Sequence, residues 1–170
     1  WKQLKATKGL IPTSSAYYLL VSLWSKSDSP GAAEKAEKIL RELVKEGRRN
    51  PKLVPSCPVF VNVISAWRRN RGDTKNNAER AQAVLDFMVK EYTRRSKLPQ
   101  KWMSFSVNDV PFNATIDAWA KSSANLNFME EKIEDILNTM EELNIDRTMV
   151  TVWSALPLYY PRSDGETTKV

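Results

Sequence analysis

The sequence predicts an all-α fold, an α-solenoid of stacked antiparallel helical hairpins. Three observations predict it. Apolar residues recur at i, i+3, i+4 and i+7 in segments that end in Trp. Each of these segments is followed by a helical segment of a second type, and the pair occurs three times along the chain. Such spacing places the apolar residues on one helical face, and its recurrence marks a repeat array.

In YYLLVSLW the stripe is Tyr17, Leu20, Val21 and Trp24, and in the following AEKAEKILREL it is Ala36, Ile39, Leu40 and Leu43. FVNVISAW repeats the first type with Phe60, Val63, Ile64 and Trp67, and AERAQAVLDFM the second with Ala81, Val84, Leu85 and Met88. FNATIDAW carries Phe112, Ile116 and Trp119 with Thr115 in the remaining place, and EEKIEDILNTM carries Ile133, Ile136, Leu137 and Met140. A fourth copy of the first type starts with Val152, Ala155, Leu156 and Tyr159. Pro12, Pro55 and Pro111 stand just before or inside the first turn of the first-type helices, where a missing amide proton costs little. The copies start at 17, 60, 112 and 152, so the spacing is irregular and the extra length belongs to loops. Two loops are expected, at 47–55 and 93–109, and the aromatic Trp102 and Phe105 of the second should fold back onto the helices.

Length and composition narrow the function. At 170 residues, 42% apolar and with six Trp, five Tyr and five Phe, the chain suits one globular domain with a core. A formal charge of +6 favours an anionic partner such as nucleic acid. With no His and one Cys, His-based acid–base chemistry and an internal disulfide are excluded, and most metal sites with them. No cofactor or metal is expected. Cys57, flanked by Pro55 and Pro58, reads as a small filler residue. No apolar run approaches the roughly 20 residues that cross a bilayer. The five glycines are scattered, so there is no phosphate-binding loop, and Glu34, Glu37, Glu42, Glu79 and Glu91 lie among basic residues as in ordinary surface pairing. The chain is not expected to be an enzyme.

PFNATIDAW follows a run of aromatic, Asn, small, apolar, Ile, small, Ala and aromatic, and GLIPTSSAYYLL a Gly-Ile-Lys-Pro-Asp junction leading into it. On these residues the sequence resembles a pentatricopeptide repeat protein of a long-repeat, divergent type, over nearly the whole chain. Tetratricopeptide repeats are less similar, because the Gly after the first helix's Leu is replaced by Val21, Ser65 and Asp117. The resemblance implies a right-handed superhelix divided as a tail of a preceding second helix at 1–11, repeats at 12–56, 57–108 and 109–148, and a partial repeat at 149–170. It also implies a longer array in a mitochondrion or plastid. There the chain would serve RNA processing, stability, translation or ribosome association by binding single-stranded RNA. The alternative is a scaffold that binds protein subunits of a large organellar complex.

In the family, the residue after the first helix's aromatic and the last residue of the repeat face the RNA and choose the base. By resemblance the first position holds Tyr18, Val61, Asn113 and, in the partial copy, Trp153. The second holds Ser56, Asn108 and Thr148, with Thr13 closing the preceding unit. Only Asn113 with Thr148 resembles a base-reading pair, since an amide can hydrogen-bond a base edge and Val61 cannot. That implies binding largely through the backbone. Thr13, Ser56, Asn108 and Thr148 are equally residues that cap helices, worth about 1 kcal/mol each, and Asn113 suits a structural hydrogen bond as well as a base contact. Arg68, Arg69 and Arg71 close one first helix; Lys45, Arg48, Arg49 and Lys52, and Arg94, Arg95 and Lys97, follow second helices. Such cations oppose helix dipoles, and together with Lys75 and Lys101 they are also expected to form one rim that holds a phosphate backbone without reading sequence.

Overall fold

The structure, a computed structural model, describes residues 13–50, 52–98 and 105–159. They form seven helices and no strand: α1 (Ser14–Ser25), α2 (Ala32–Gly47), α3 (Cys57–Arg69), α4 (Thr74–Ser96), α5 (Val110–Ala120), α6 (Leu126–Glu142) and α7 (Met149–Tyr159). The expected helix tail at 1–11, Pro12, Lys101 and Trp102 lie outside the described residues.

Consecutive helices pack as hairpins, α1 on α2, α3 on α4 and α5 on α6, and the first helices also pack on one another in the order α1, α3, α5, α7. Each second helix is wedged between its own first helix and the next one: α2 meets α3, α4 meets α5 and α6 meets α7. The apolar stripes supply the cores of these contacts. Phe60, Val63, Ile64 and Trp67 of α3 are buried, as are Ala81, Val84, Leu85 and Met88 of α4.

The connections have local causes. Gly31, with φ +73°, turns the chain left-handed into α2, a conformation that glycine adopts without the clash a Cβ brings. Helix α6 ends with Asn144 at φ +53° and the Ile145 N–H donating to Met140 O at 2.8 Å, the pairing that satisfies the last carbonyls of a helix. Asp73 and Asn125 cap α4 and α6 by accepting from the N–H of Asn76 and of Phe128.

Trp67 and Trp119 occupy matching places. The Trp67 indole donates to Glu37 Oε2 at 2.9 Å and that of Trp119 to Gln82 Oε1 at 3.1 Å. Both acceptors directly follow the stripe Ala of the preceding second helix, Ala36 or Ala81. Trp24 does not share this burial: it is half-exposed, with the Lys35 ammonium 4.2 Å from its ring centre, because no described helix precedes α1 to cover it.

Three expectations change. The stripe of α7 is shifted: Thr151 and Ala155 are buried and Val152 is 53% exposed, since α5 and α6 cover only one side of this last helix. The supposed loop at 93–109 is helical as far as Ser96. Its Phe105 does fold back, stacked on Phe60 at 5.4 Å between ring centres and edge-on to Tyr92 at 6.0 Å. Glu37 and Glu91 are not surface acids, being only 3% and 0% exposed. Glu37 accepts from Arg41, Arg80 and Trp67, so one carboxylate ties α2, α3 and α4 together.

Candidate nucleic-acid interface

The first helices begin at one end of the hairpins, and most of the predicted reading residues sit in their first turns or just before them. Of the expected caps Thr13 works as one, its hydroxyl accepting from the Ala16 N–H at 3.3 Å. Ser56 precedes α3 without a capping bond from its side chain. Asp109 rather than Asn108 occupies the cap position of α5, also without one. Asn108 instead accepts from the buried Cys57 thiol, Sγ to Oδ1 at 3.5 Å, and burial pushes that thiol's pKa up.

Asp109 has a different task. Its Oδ2 accepts from Asn113 Nδ2 at 3.0 Å and from the Thr148 hydroxyl at 2.8 Å. The pair picked out by the resemblance is thereby joined through one carboxylate. Asn113 is 6% exposed and its Oδ1 has no hydrogen-bond partner. A buried acceptor left unmade costs about 1–3 kcal/mol. In the preceding repeat Cys57 stands in the place of Asp109 and its thiol meets Asn108, but Val61, in the place of Asn113, has no polar atom to join them.

Tyr18 and Ser56 come together as well. They share a groove of about 380 Å³ between α1 and α3, lined also by Ser14, Ser15, Leu19 and Val54. Tyr18 is 39% exposed, so its ring is accessible for stacking. Val61 is half-buried against the core and offers no polar atom, and Trp153 of α7 is 64% exposed.

Arg68, Arg69 and Arg71 lie elsewhere. They close α3, so the length of that 13-residue helix, about 20 Å at 1.5 Å per residue, separates them from the first-turn positions. Arg68 is ion-paired with Asp117, and Arg69 Nη2 donates to Ser25 O at 2.6 Å. Burial pushes the Asp117 carboxyl up, but hydrogen bonds from Lys121 and Arg68 outweigh it and hold the pKa below its usual value. Arg71 is exposed on a cleft of about 490 Å³ shared with Trp24, Lys26 and Arg69. The cations following α2 and α4 belong to the opposite end, so the single expected rim is divided in two.

The sequence offered little sign of Asp109 or of Glu91. Asp109 stands next to the highlighted Asn108, and only the fold brings Thr148 to it. Glu91 has Arg94 and Arg95 at helical spacing, a visible hint, but its third partner Arg48 comes from α2. No cluster of metal-ligating side chains exists among the described residues, and no described helix is long and apolar enough to cross a membrane. The chain matches no protein-family model, no curated protein and no solved structure.

Proposed function

We propose that this chain is a helical-repeat RNA-binding protein of the pentatricopeptide type, an α-solenoid whose first helices receive single-stranded RNA. Its setting would be organelle RNA metabolism, in a mitochondrion or plastid, and its role binding rather than catalysis. The observation that carries this reading is the Asn113 amide. Its Nδ2 is engaged by Asp109, beside Thr148, and its Oδ1 is buried without a donor. Buried polar atoms without partners are rare, and each calls for a reason, of which an unbound ligand is one. A base edge presents N–H donors that would complete it, as single-stranded bases do when splayed onto a protein. Tyr18 and Trp153 supply exposed rings on which bases stack without being distinguished.

Affinity for a panel of RNAs differing at one nucleotide, measured for the natural chain and for Asn113→Ala, tests the reading. The expected result is loss of preference at that nucleotide with little change in salt dependence. Unchanged RNA binding together with a lowered melting temperature would make Asn113 a structural residue.

One observation favours the scaffold as second reading: α7 exposes Met149, Val150, Val152 and Trp153, and α1 exposes Leu19 and Leu23. Exposed apolar residues grouped on one helix in this way suit a protein neighbour. Absence of RNA binding at low salt would leave that reading ahead.

A further inference from the structure

The C-terminal ends of α2 and α4 meet at Glu91. Three guanidinium groups converge on this fully buried carboxylate. Arg48 donates from Nε and Nη2 to Oε2 at 3.2 and 3.0 Å. Arg94 is bidentate, Nε to Oε2 at 3.0 Å and Nη2 to Oε1 at 2.6 Å. Arg95, itself buried, donates from Nε to Oε1 at 2.9 Å and from Nη2 to Gly47 O at 3.3 Å.

One arginine would neutralise Glu91, and Arg95 already does so inside the fold. Arg48 and Arg94 add two charges on side chains that remain 46% and 37% exposed. The two helix C-termini offset roughly one of these, at about half a charge each. A positive excess therefore remains, and it is held in place. Each guanidinium carries five N–H donors, so after their bonds to Glu91 both Arg48 and Arg94 keep Nη1 and one Nη2 hydrogen unengaged. Lys45, Arg49, Lys52, Lys90 and Lys97 lie within four residues of one or the other and are exposed. None of these five forms an ion pair with a described carboxylate. The junction after Arg48 leads to Ser56, and Ser14 Oγ donates to Lys52 O at 3.1 Å, so the cluster shares its end of the molecule with the Tyr18–Ser56 groove.

We propose that Arg48 and Arg94, oriented by the buried Glu91, form a fork that docks the phosphodiester backbone of RNA. It is a site separate from the base-reading positions and from Arg68, Arg69 and Arg71. Planar guanidinium groups with fixed orientation match phosphate oxygens in pairs, which a mobile ammonium does not. The inference rests on the RNA-binding reading above, but its ligand is the backbone alone.

The probe is an abasic oligonucleotide of about 16 units, which offers phosphates and no bases. Its affinity is measured against salt for the natural chain and for the double variant Arg48→Gln/Arg94→Gln, in which Arg95 still pairs Glu91. The slope of log affinity against log salt should fall by about 1.4, near 0.7 for each single-strand phosphate contact. An unchanged slope and affinity in a folded variant would overturn the proposal. If the variant does not fold, phenylglyoxal modification of the natural chain decides. Protection of Arg48 and Arg94 by the abasic oligomer is expected, and equal modification with and without it would refute the fork. Should ordinary RNA bind while the abasic oligomer does not, the fork fails and the base-reading proposal stands. Should neither bind, both fail.

Discussion

Gly47 is the most closely approached of the described glycines. A Cβ placed there would lie 2.0 Å from the backbone oxygen of Leu53 and 3.2 Å from Arg95 Nη2. The backbone of the α2–α3 junction would have to move, and the buried arginine with it. Gly47→Ala should therefore destabilise by about 1–3 kcal/mol or more, as overpacking does, with a lowered urea midpoint as the readout. Trp67→Ala removes a buried ring and the donor to Glu37, and should cost about 3–5 kcal/mol in the same measurement. Glu91 gives a pH dependence with a definite sign. Burial pushes its carboxyl up, but the hydrogen bonds from Arg94, Arg95 and Arg48 together outweigh it and leave the pKa below the ordinary 4.5. A depressed folded pKa contributes stability that is fully present above the unfolded value and lost as pH falls through the folded one. Glu91→Gln should lower the melting temperature at pH 7 and flatten its decline below about pH 4.5. An equal acid decline in both proteins would show that Glu91 contributes nothing to it.

Among the second helices, α6 buries the fewest residues. It buries only Ile133, Ile136 and Met140, whereas α4 buries eight residues including Asn77, Glu91 and Arg95. The polar links differ in the same direction. Arg80, just before Ala81, reaches across to Glu37 at 2.7 Å. Lys132, in the matching place before Ile133, pairs instead with Glu131 and Asp135 of its own helix. A groove of about 460 Å³ is left between α4 and α6, lined by Gln82, Asp86, Phe128, Lys132 and Asp135. Burial, with the nearby Asp135 charge adding to it and Gln82 and Lys132 opposing, raises the Asp86 pKa. Fewer buried contacts mean a lower free energy of local opening. Backbone amides of α6 should exchange with deuterium faster than those of α4 under native conditions, and equal protection would refute the difference.

For the whole molecule, the clustered cations of the described residues fall at two ends of the hairpins, and the two groups are not equivalent. Arg68 and Arg69 are occupied by Asp117 and Ser25, while the cations beyond α2 and α4 include several without a carboxylate partner. Replacing Arg68, Arg69 and Arg71 together with Ala should lower the melting temperature and reduce RNA affinity less than Arg48→Gln/Arg94→Gln does. Titration of both variants with one RNA at several salt concentrations checks the order. The reverse order would return the backbone contact to the α3 end.

The helices themselves were legible in the sequence. Seven stripes were read and seven helices occur among the described residues, because a 3.6-residue period is set within a few turns of one segment. Phe60, Ile64, Leu85 and Ile116 are buried as their spacing requires. The side of α7 was misread because Val152 is apolar and Thr151 is not, and nothing local says which side α5 will cover. Burial of Glu37 and Glu91 was decided by Arg80 and Arg48, each 43 residues away. The joining of Asn113 and Thr148 through Asp109 was decided across 39 residues. An ionic group is tolerated inside only where partners from other elements replace its water, and those partners become neighbours only when the hairpins stack. The sequence by itself determined the helices, their order and most of their apolar faces; the tertiary structure alone decided which charges are buried, which polar residues meet, and at which end the free cations stand.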